Sequence, residues 1–232
     1  IQGQLGLTQA QATWLPAAYV MVNVTANLLV FKFRQQYDIR LFAELGLGLY
    51  ALVTLLHLFV HGFEMALTVR AVSGFVSAAT STLAVLYMLQ ACPKAKLGAG
   101  LVVGLTIAQL ATPLAWLLAP SMLDLGDWRT LYQFEAGLAL CSLAAVVVLK
   151  LPLGMRIQVL ERLDFVTFAL VAPGVALLVG VLAQGLNGWW FDTEWLAWAL
   201  MGAVVLLTSA AIVEYHRERP LLQVRWLLNV AT

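Results

Sequence analysis

The stretch Phe165–Gln184 reads FVTFALVAPGVALLVGVLAQ and contains no charged residue. An α-helix of this length crosses the roughly 30 Å hydrocarbon core of a bilayer. The run is too long for a buried strand, and it lacks the alternation of apolar and polar residues that is typical of an outer-membrane barrel strand. It therefore predicts a transmembrane helix.

Further apolar runs of similar length lie along the chain, at about Thr13–Val30, Leu41–Val60, Ala66–Ala91, Leu97–Ala119, Leu131–Leu149 and Trp195–Val213. Of the 232 residues, 62% are hydrophobic and only 11% are charged, whereas a soluble domain carries about 25% charge. This composition excludes a disordered chain, a basic nucleic-acid-binding domain and an ordinary soluble enzyme. We predict an all-α polytopic transmembrane bundle of about seven spans, surrounded by the lipid bilayer.

The basic residues predict the orientation of the bundle. Of the 13 Lys and Arg, only Arg129 lies in the loops of one side, and Arg70 lies inside a run. The others fall on the opposite side: Lys32, Arg34, Arg40, Lys94, Lys96, Lys150, Arg156, Arg162, Arg217, Arg219 and Arg225. The positive-inside rule places this larger set in the cytoplasm, so the N-terminus is expected outside and the C-terminus inside. Trp128, Trp189, Trp190 and Trp195 are expected to form an aromatic belt at the outer headgroups.

Arg70 is the most informative single residue, because it lies inside the third run. If that helix begins near Phe63, Arg70 is about 10 Å deep at 1.5 Å per residue. A charge at this depth is costly and usually faces a bundle interior or a water-filled cavity. Snorkelling to the outer headgroups is the structural alternative.

Several other polar residues lie at membrane depth. Glu135 lies in the fifth span and is able to carry a proton or to pair with Arg129 or Arg70. Asn23 and Asn27 share a helical face and are suited either to substrate binding or to hydrogen bonds across helices. Asp164 is expected to cap the sixth span.

Small and hydroxyl residues follow Arg70 from Ser73 to Thr82, and the fourth span contains Gly100-Leu-Val-Val-Gly104 and then Gln109. Such residues allow close helix packing. A polar stripe that includes Thr80 and Gln109 and lines a cavity is the alternative.

Signals for catalysis, metals and cofactors are weak. The sequence contains no G-x-S-x-G, H-E-x-x-H or C-x-x-C motif. His57 and His61 have the i, i+4 spacing of one helical face, but they supply only two ligands, and zinc sites usually have three or four. Cys92 and Cys141 are expected to be free thiols. No enzyme activity, metal or cofactor is therefore predicted.

Four segments, in order and spacing, resemble the major facilitator superfamily, and specifically its fourteen-helix drug:proton antiporters of the EmrB and QacA type. Trp14-Leu-Pro-Ala-Ala-Tyr19 resembles the W-x-x-x-a-Y opening of the family's second helix, and Arg70-Ala-Val-Ser-Gly74 resembles its fourth-helix R-x-x-q-G motif. Trp128-Arg129 with Phe134 resembles the W-R-x-x-F entry to the sixth helix. Glu214–Leu222 resembles the E-x-r-x-x-P-L-L segment after the second extra helix.

The sequence also departs from the family pattern. The loop Val30–Arg40 lacks the acid and both glycines of the family's G-x-L-a-D-r-x-G-r-r segment at their expected places. The fifth-helix antiporter motif is reduced to Ala111-Thr-Pro-Leu-Ala115, in which Pro113 survives and the glycines do not. In the sixth-helix entry, Glu135 stands where the family commonly has Asn.

The resemblance implies a partial major facilitator fold that lacks the first helix and the C-terminal half. Residues 1–150 would form the N-terminal bundle, 151–163 a cytoplasmic connection, 164–215 two extra central helices and 216–232 the start of a link to the missing half. It also implies a transporter of the inner membrane, one that exports small amphipathic compounds in exchange for protons, sometimes with a periplasmic adaptor. If the chain is such a transporter, Arg70 and Glu135 are expected to couple protons. The substrate cavity is expected to include Asn23, Asn27, Thr80 and Gln109. The expected conformational-motif residues are Gly74, Pro113, Trp128 and Arg129.

Two other classes share this topology. A seven-helix receptor or sensor fits the number of spans, although every Lys lies at a cytoplasmic edge and none is available within a late span for retinal. A non-transporting membrane scaffold is the other alternative, and the charges of Arg70 and Glu135 within spans argue against it.

Overall fold

A computed structural model describes residues 2–36, 39–149, 160–217 and 220–221. These residues form seven long α-helices: α1 (Gln9–Gln36), α2 (Ile39–His57), α3 (Phe63–Ala91), α4 (Leu97–Asp124), α5 (Arg129–Leu149), α6 (Arg162–Gln184) and α7 (Glu194–Tyr215). Short 3₁₀ turns at Lys94–Lys96 and Trp190–Asp192 precede α4 and α7. All seven helices are long and apolar enough to cross a membrane, which confirms the predicted fold class.

The helices extend beyond the apolar runs that predict them. α1 continues six residues past Val30, to Gln36, and α4 continues past Ala119 to Asp124. Hydropathy marks only the part of a helix that suits the hydrocarbon core, whereas the backbone hydrogen bonds continue until a turn or a loop interrupts them. α2 is the exception, because it ends at His57, before the predicted Val60.

The contacts divide the chain into two compact units. The first unit contains α1, the beginning of α3 through Phe75, α6 and α7. Small residues allow its helices to approach one another: Gly174 faces Leu206 and Leu207 of α7, and Gly180 faces Trp14 of α1. Such contacts are the usual basis of helix association in lipid, where no hydrophobic driving force acts between helices.

The second unit contains α2, the remainder of α3 from Val76, α4 and α5. α2 contributes Ile39 and Ala43 to a buried cluster with Leu83 and Leu86 of α3. Gly46 of α2 lies where an added Cβ would contact Ala79 and Leu83. Close packing of α2 therefore again depends on small residues.

α4 has no buried residue, although it is as apolar as its neighbours. Its Gly100 and Gly104 receive the sulfur atoms of Cys92 and Met88, and a Cβ at either glycine would collide with them. The G-x-x-x-G step of α4 therefore accommodates two side chains from the end of α3 and the turn after it.

Candidate functional site

Arg70 lies in α3, seven residues after the helix begins at Phe63, as the depth argument assumed. Its side chain is partly buried, and its Cζ lies 5.5 Å from the centroid of the Tyr19 ring in α1. A guanidinium at this distance from an aromatic face is attracted by the electrons of the ring. The charge thus has an aromatic partner within the first unit.

Gly74 brings α1 and α3 together one turn further along α3. A Cβ at Gly74 would overlap the carbonyl oxygen of Tyr19 and would lie 3.2 Å from the backbone nitrogen of Asn23. The carbonyl oxygen of Gly74 accepts a hydrogen bond from Asn23 Nδ2 at 3.2 Å. The absence of a side chain at Gly74 thus permits the crossing that puts Tyr19 over Arg70.

Asn23 and Asn27 share a face of α1, as their spacing predicts. Asn27 Nδ2 donates to the carbonyl oxygen of Asn23 at 2.8 Å and lies 3.3 Å from Asn23 Oδ1. Both residues are partly exposed. They therefore form a small amide cluster beside the α1–α3 crossing.

Glu135 lies in the second unit, where the hydroxyl of Tyr50 in α2 donates a hydrogen bond to its carboxylate. Arg129, one of the partners considered from the sequence, instead forms an ion pair with Asp127 at 2.9 Å. The carboxylate of Glu135 is partly exposed. Tyr50 was not singled out in the sequence, because no local pattern links it to a residue 85 positions away.

The other predicted cavity and motif residues on α3 and α4 have simpler surroundings. Thr80 donates a hydrogen bond to the carbonyl oxygen of Ser77 in its own helix. Gln109 and Pro113 are exposed on α4. The membership of Thr80 and Gln109 in a cavity and the conformational role of Pro113 stay predictions.

Trp128 and Arg129 join the beginning of α5 to the end of α2. Trp128 is only 3% exposed and packs edge-on against Tyr132, so the expectation that it belongs to an exposed aromatic belt is wrong. Arg129 donates to the carbonyl oxygen of Leu58 at 3.0 Å, just after α2 ends. A cation in this position satisfies free carbonyls at a helix C-terminus. Its hydrogen bond also lowers the pKa of Asp127 below the usual value.

His57 is also structural. It is the last residue of α2, it is buried, and its ring stacks on Tyr132 with centroids 4.2 Å apart. Because α2 ends here, His57 and His61 do not occupy one helical face, contrary to the expectation from their spacing. Among the residues that the structure describes, no group of three or more His, Cys, Asp or Glu could hold a metal ion.

A buried ionic cluster in the first unit joins the end of α1, the beginning of α6 and the end of α7. Asp164 Oδ1 accepts from Lys32 Nζ at 2.7 Å and from Arg217 at 2.8 Å. Arg217 also pairs with Glu214 at 2.6 Å and with Glu161 at 3.0 Å. The side chains of Asp164 and Glu214 are 0% exposed, and those of Arg217 and Lys32 are 5% and 8% exposed.

Asp164 caps α6 as expected, but through a capping box. Glu161 is the N-cap residue, and the Asp164 carboxylate accepts a hydrogen bond from its backbone nitrogen at 2.9 Å. Burial by itself would lower the pKa of Arg217, but hydrogen bonds with Asp164, Glu214 and Glu161 outweigh burial and raise it. Arg217 therefore stays charged.

The opposite end of α6 is fastened to α1 by amide groups. Gln184 Nε2 donates to the carbonyl oxygen of Ala10 at 3.1 Å and lies 3.0 Å from Thr13 Oγ1. Asn187 Nδ2 also donates to Thr13 Oγ1, at 3.1 Å. We call this group the amide network.

Most of the ionic cluster has no local signal in the sequence. Lys32 and Arg217 were interpreted only as indicators of topology, and Glu214 only as part of a family motif. The i, i+3 spacing of Glu214 and Arg217 was the one local signal of an ion pair. The bond between Lys32 and Asp164 joins residues 132 positions apart, and no sequence pattern indicates it. The predicted connection in residues 151–163 lies partly outside the described residues, and so does the family-like segment that begins at Glu214. Residues 222–232 lie wholly outside them.

Seven helices that are long and apolar enough to cross a membrane define a polytopic membrane protein. The sequence model of the Major Facilitator Superfamily matches residues 1–156, about two thirds of the 232. The chain therefore belongs to the Major Facilitator Superfamily and is a multi-pass membrane transporter. The match includes α1 to α5 and ends before α6 and α7. A search among curated proteins finds no match to the chain.

Proposed function

We propose that this transporter exports small amphipathic compounds in exchange for protons, and that Arg70 takes part in proton coupling. The observation that carries the proposal is the position of Arg70 within α3, partly buried against the Tyr19 ring. An arginine at the centre of a membrane helix costs about 2.5 to 3.5 kcal/mol on insertion scales, and somewhat less near the interface. A charge retained at this cost favours a functional role.

The residues proposed to contact substrate are Asn23 and Asn27 in the first unit and, from the sequence alone, Thr80 and Gln109 in the second unit. The amide cluster beside the α1–α3 crossing supports the assignment of the two asparagines, because amide groups on an otherwise apolar wall suit compounds with both polar and apolar parts. Glu135 is the second proposed proton carrier, since its carboxylate lies within α5 and is held by Tyr50. In the proposed alternating-access mechanism a second helical half completes the central site.

The proposed orientation has the N-terminus outside the inner membrane and the C-terminus in the cytoplasm. The ionic cluster supports it, because Lys32 and Arg217 lie together and belong to the set that the charge rule assigns to the cytoplasm. We retain the proposed organisation: a bundle in residues 1–150, a connection in 151–163, two extra helices in 164–215 and a link in 216–232. A periplasmic adaptor is a further proposed partner, and it rests on family resemblance alone.

The test is efflux of a fluorescent amphipathic cation from vesicles that contain the complete transporter, under an imposed pH gradient. We expect Arg70→Gln and Arg70→Ala to abolish proton-coupled efflux while the protein still inserts. Arg70→Lys should retain part of the activity, because it keeps the charge and loses the planar guanidinium fork.

The matched control is Arg40→Gln, the same substitution in a partly exposed ion pair with Glu44. It should transport normally, because such surface pairs contribute little. Normal efflux by Arg70→Gln would end the coupling hypothesis and would leave Arg70 as a topological anchor at the membrane interface.

A further inference from the structure

We infer that α6 is clamped to α1 at both ends, that α7 is tied to α6, and that the three helices move as one body throughout the transport cycle. The clamp consists of the ionic cluster at one end and the amide network at the other. The inference rests on the membership of the chain in a transporter family, and it is independent of the proposed substrate and coupling ion. It assigns a role to two helices that lie outside the family match.

At the ionic end the buried charges balance. The four side chains below 10% exposure are two cations, Lys32 and Arg217, and two anions, Asp164 and Glu214. Glu161 adds a carboxylate that is 39% exposed and therefore partly hydrated. Each buried carboxylate contacts a cation at 2.8 Å or less. Among the described side chains of the cluster, each buried charge is therefore paired with one of opposite sign.

Thr167 completes this end of the clamp. It is fully buried, and its hydroxyl donates to Glu214 Oε1 at 2.5 Å. Because Thr167 lies on α6 and Glu214 on α7, the bond ties the two extra helices to each other. Asp164 and Lys32 then tie α6 to α1.

Between its two ends, α6 packs against both neighbours. Gly180 lies where an added Cβ would be 3.4 Å from the Trp14 ring of α1. Gly174 faces Leu207 of α7, with 3.0 Å between a Cβ and the nearest leucine atoms. The amide network of Gln184 and Thr13 closes the other end. Contacts with α1 or α7 therefore extend along the whole length of α6.

This arrangement indicates a permanent clamp rather than a gate. Separating α1 from α6 would remove the carboxylate of Asp164 from the buried ammonium of Lys32, and an uncompensated buried charge is strongly unfavourable. It would also break the amide bonds at the far end and open a close-packed interface. A gate that opens in every cycle would have to overcome all three costs together. Asp164 and Arg217 therefore act by holding α1 in position. α1 is the helix that contains Asn23 and Asn27, the amide side chains of the proposed substrate cavity.

The experiment uses Thr167→Cys as a reporter, because the thiol is of similar size and keeps a weak S–H donor toward Glu214. Cys92 and Cys141 are replaced by Ala in the same transporter. The rate of reaction with N-ethylmaleimide is measured in vesicles at rest and during efflux of the amphipathic cation under a pH gradient. We expect slow reaction in both states, with rates that agree within about twofold, because the cluster stays closed. Adding Asp164→Asn should raise the rate at least tenfold in the purified 232-residue chain.

The matched control is Glu44→Gln, an equivalent neutralisation in the exposed Arg40 pair, which should leave the reporter rate unchanged. If Asp164→Asn prevents folding, Glu161→Gln replaces it. That variant removes only the partly exposed partner of Arg217, and we expect a rise of about threefold. An unchanged rate in a folded cluster variant would show that the cluster does not hold the helices together and would overturn the inference. A rate that increases during efflux would show that the cluster opens as a gate, with the same consequence.

A second measurement joins Thr13→Cys to Gln184→Cys in the complete transporter with a short bis-methanethiosulfonate, which forms a disulfide with each thiol and releases sulfinate. Since the two positions stay together in the clamp, the cross-linked protein should keep at least half of its efflux. Loss of efflux on cross-linking, reversed by reduction, would refute movement as one body. If the uncross-linked transporter shows no proton-coupled efflux at all, the proposed function fails, while the reporter rates in the purified chain still test the clamp.

Discussion

Gly74→Ala tests the crossing of α1 and α3 that brings Tyr19 to Arg70. The new Cβ would overlap the carbonyl oxygen of Tyr19 and lie 3.2 Å from the Asn23 nitrogen. Both are backbone atoms and cannot rotate away. The helices would therefore have to separate by roughly 1 Å to restore ordinary contact distances. Separation would stretch the 3.2 Å hydrogen bond from Asn23 to the Gly74 carbonyl oxygen.

The expected cost follows from three terms. Overpacking costs about 1 to 3 kcal/mol, and loss of the Asn23 hydrogen bond costs about 0.5 to 1.5 kcal/mol. Alanine gains about 1 kcal/mol over glycine from helix propensity. The variant should therefore lose about 0.5 to 3.5 kcal/mol of unfolding free energy.

The assay is unfolding of the purified chain in mixed micelles, titrated with a denaturing detergent. Gly48→Ala in α2 and Gly137→Ala in α5 are matched controls, because an added Cβ meets nothing within 4 Å at either position. They should be neutral or more stable by up to about 1 kcal/mol. If Gly74→Ala were as stable as these controls, the close crossing of α1 and α3 would be wrong.

Two further predictions concern Glu135 and the orientation of the chain. A double-mutant cycle of Tyr50→Phe with Glu135→Gln should give a coupling free energy of about 1 to 2 kcal/mol, because the carboxylate loses its hydroxyl donor. Additive effects would refute the hydrogen bond. A reporter that is active only in the periplasm should work when fused after Asn187 and fail when fused after Gln158, and the reverse result would overturn the orientation.

The seven spans could be predicted from the sequence because each is specified locally. An apolar run of about 20 residues satisfies its own backbone groups as a helix in lipid, whatever its neighbours are. The same local reasoning correctly predicted that the third span ends near Ala91 and that Asn23 and Asn27 share a face. The loop charges likewise give an orientation without reference to any contact.

Local patterns were less reliable where a helix ends or where a side chain has a distant partner. The i, i+4 spacing of His57 and His61 suggested one helical face, but α2 ends between them. Trp128 belonged by position to the outer aromatic residues, yet its ring is buried against Tyr132. The ring that stacks on His57 also belongs to Tyr132 of α5, which is remote from α2 in sequence.

The sequence by itself therefore determined that this protein is an all-helical membrane bundle and which of its charges are unusual. Only the tertiary structure decided how those charges are used. Lys32 was one of many basic residues at a membrane edge until Asp164, 132 positions away, placed it in a buried cluster. Arg70 had no identified partner until the missing side chain of Gly74 allowed α1 to bring Tyr19 close to it. Hydropathy and helix formation are properties of neighbouring residues, whereas the pairing of buried charges depends on which helices pack together, and that is a property of the whole chain.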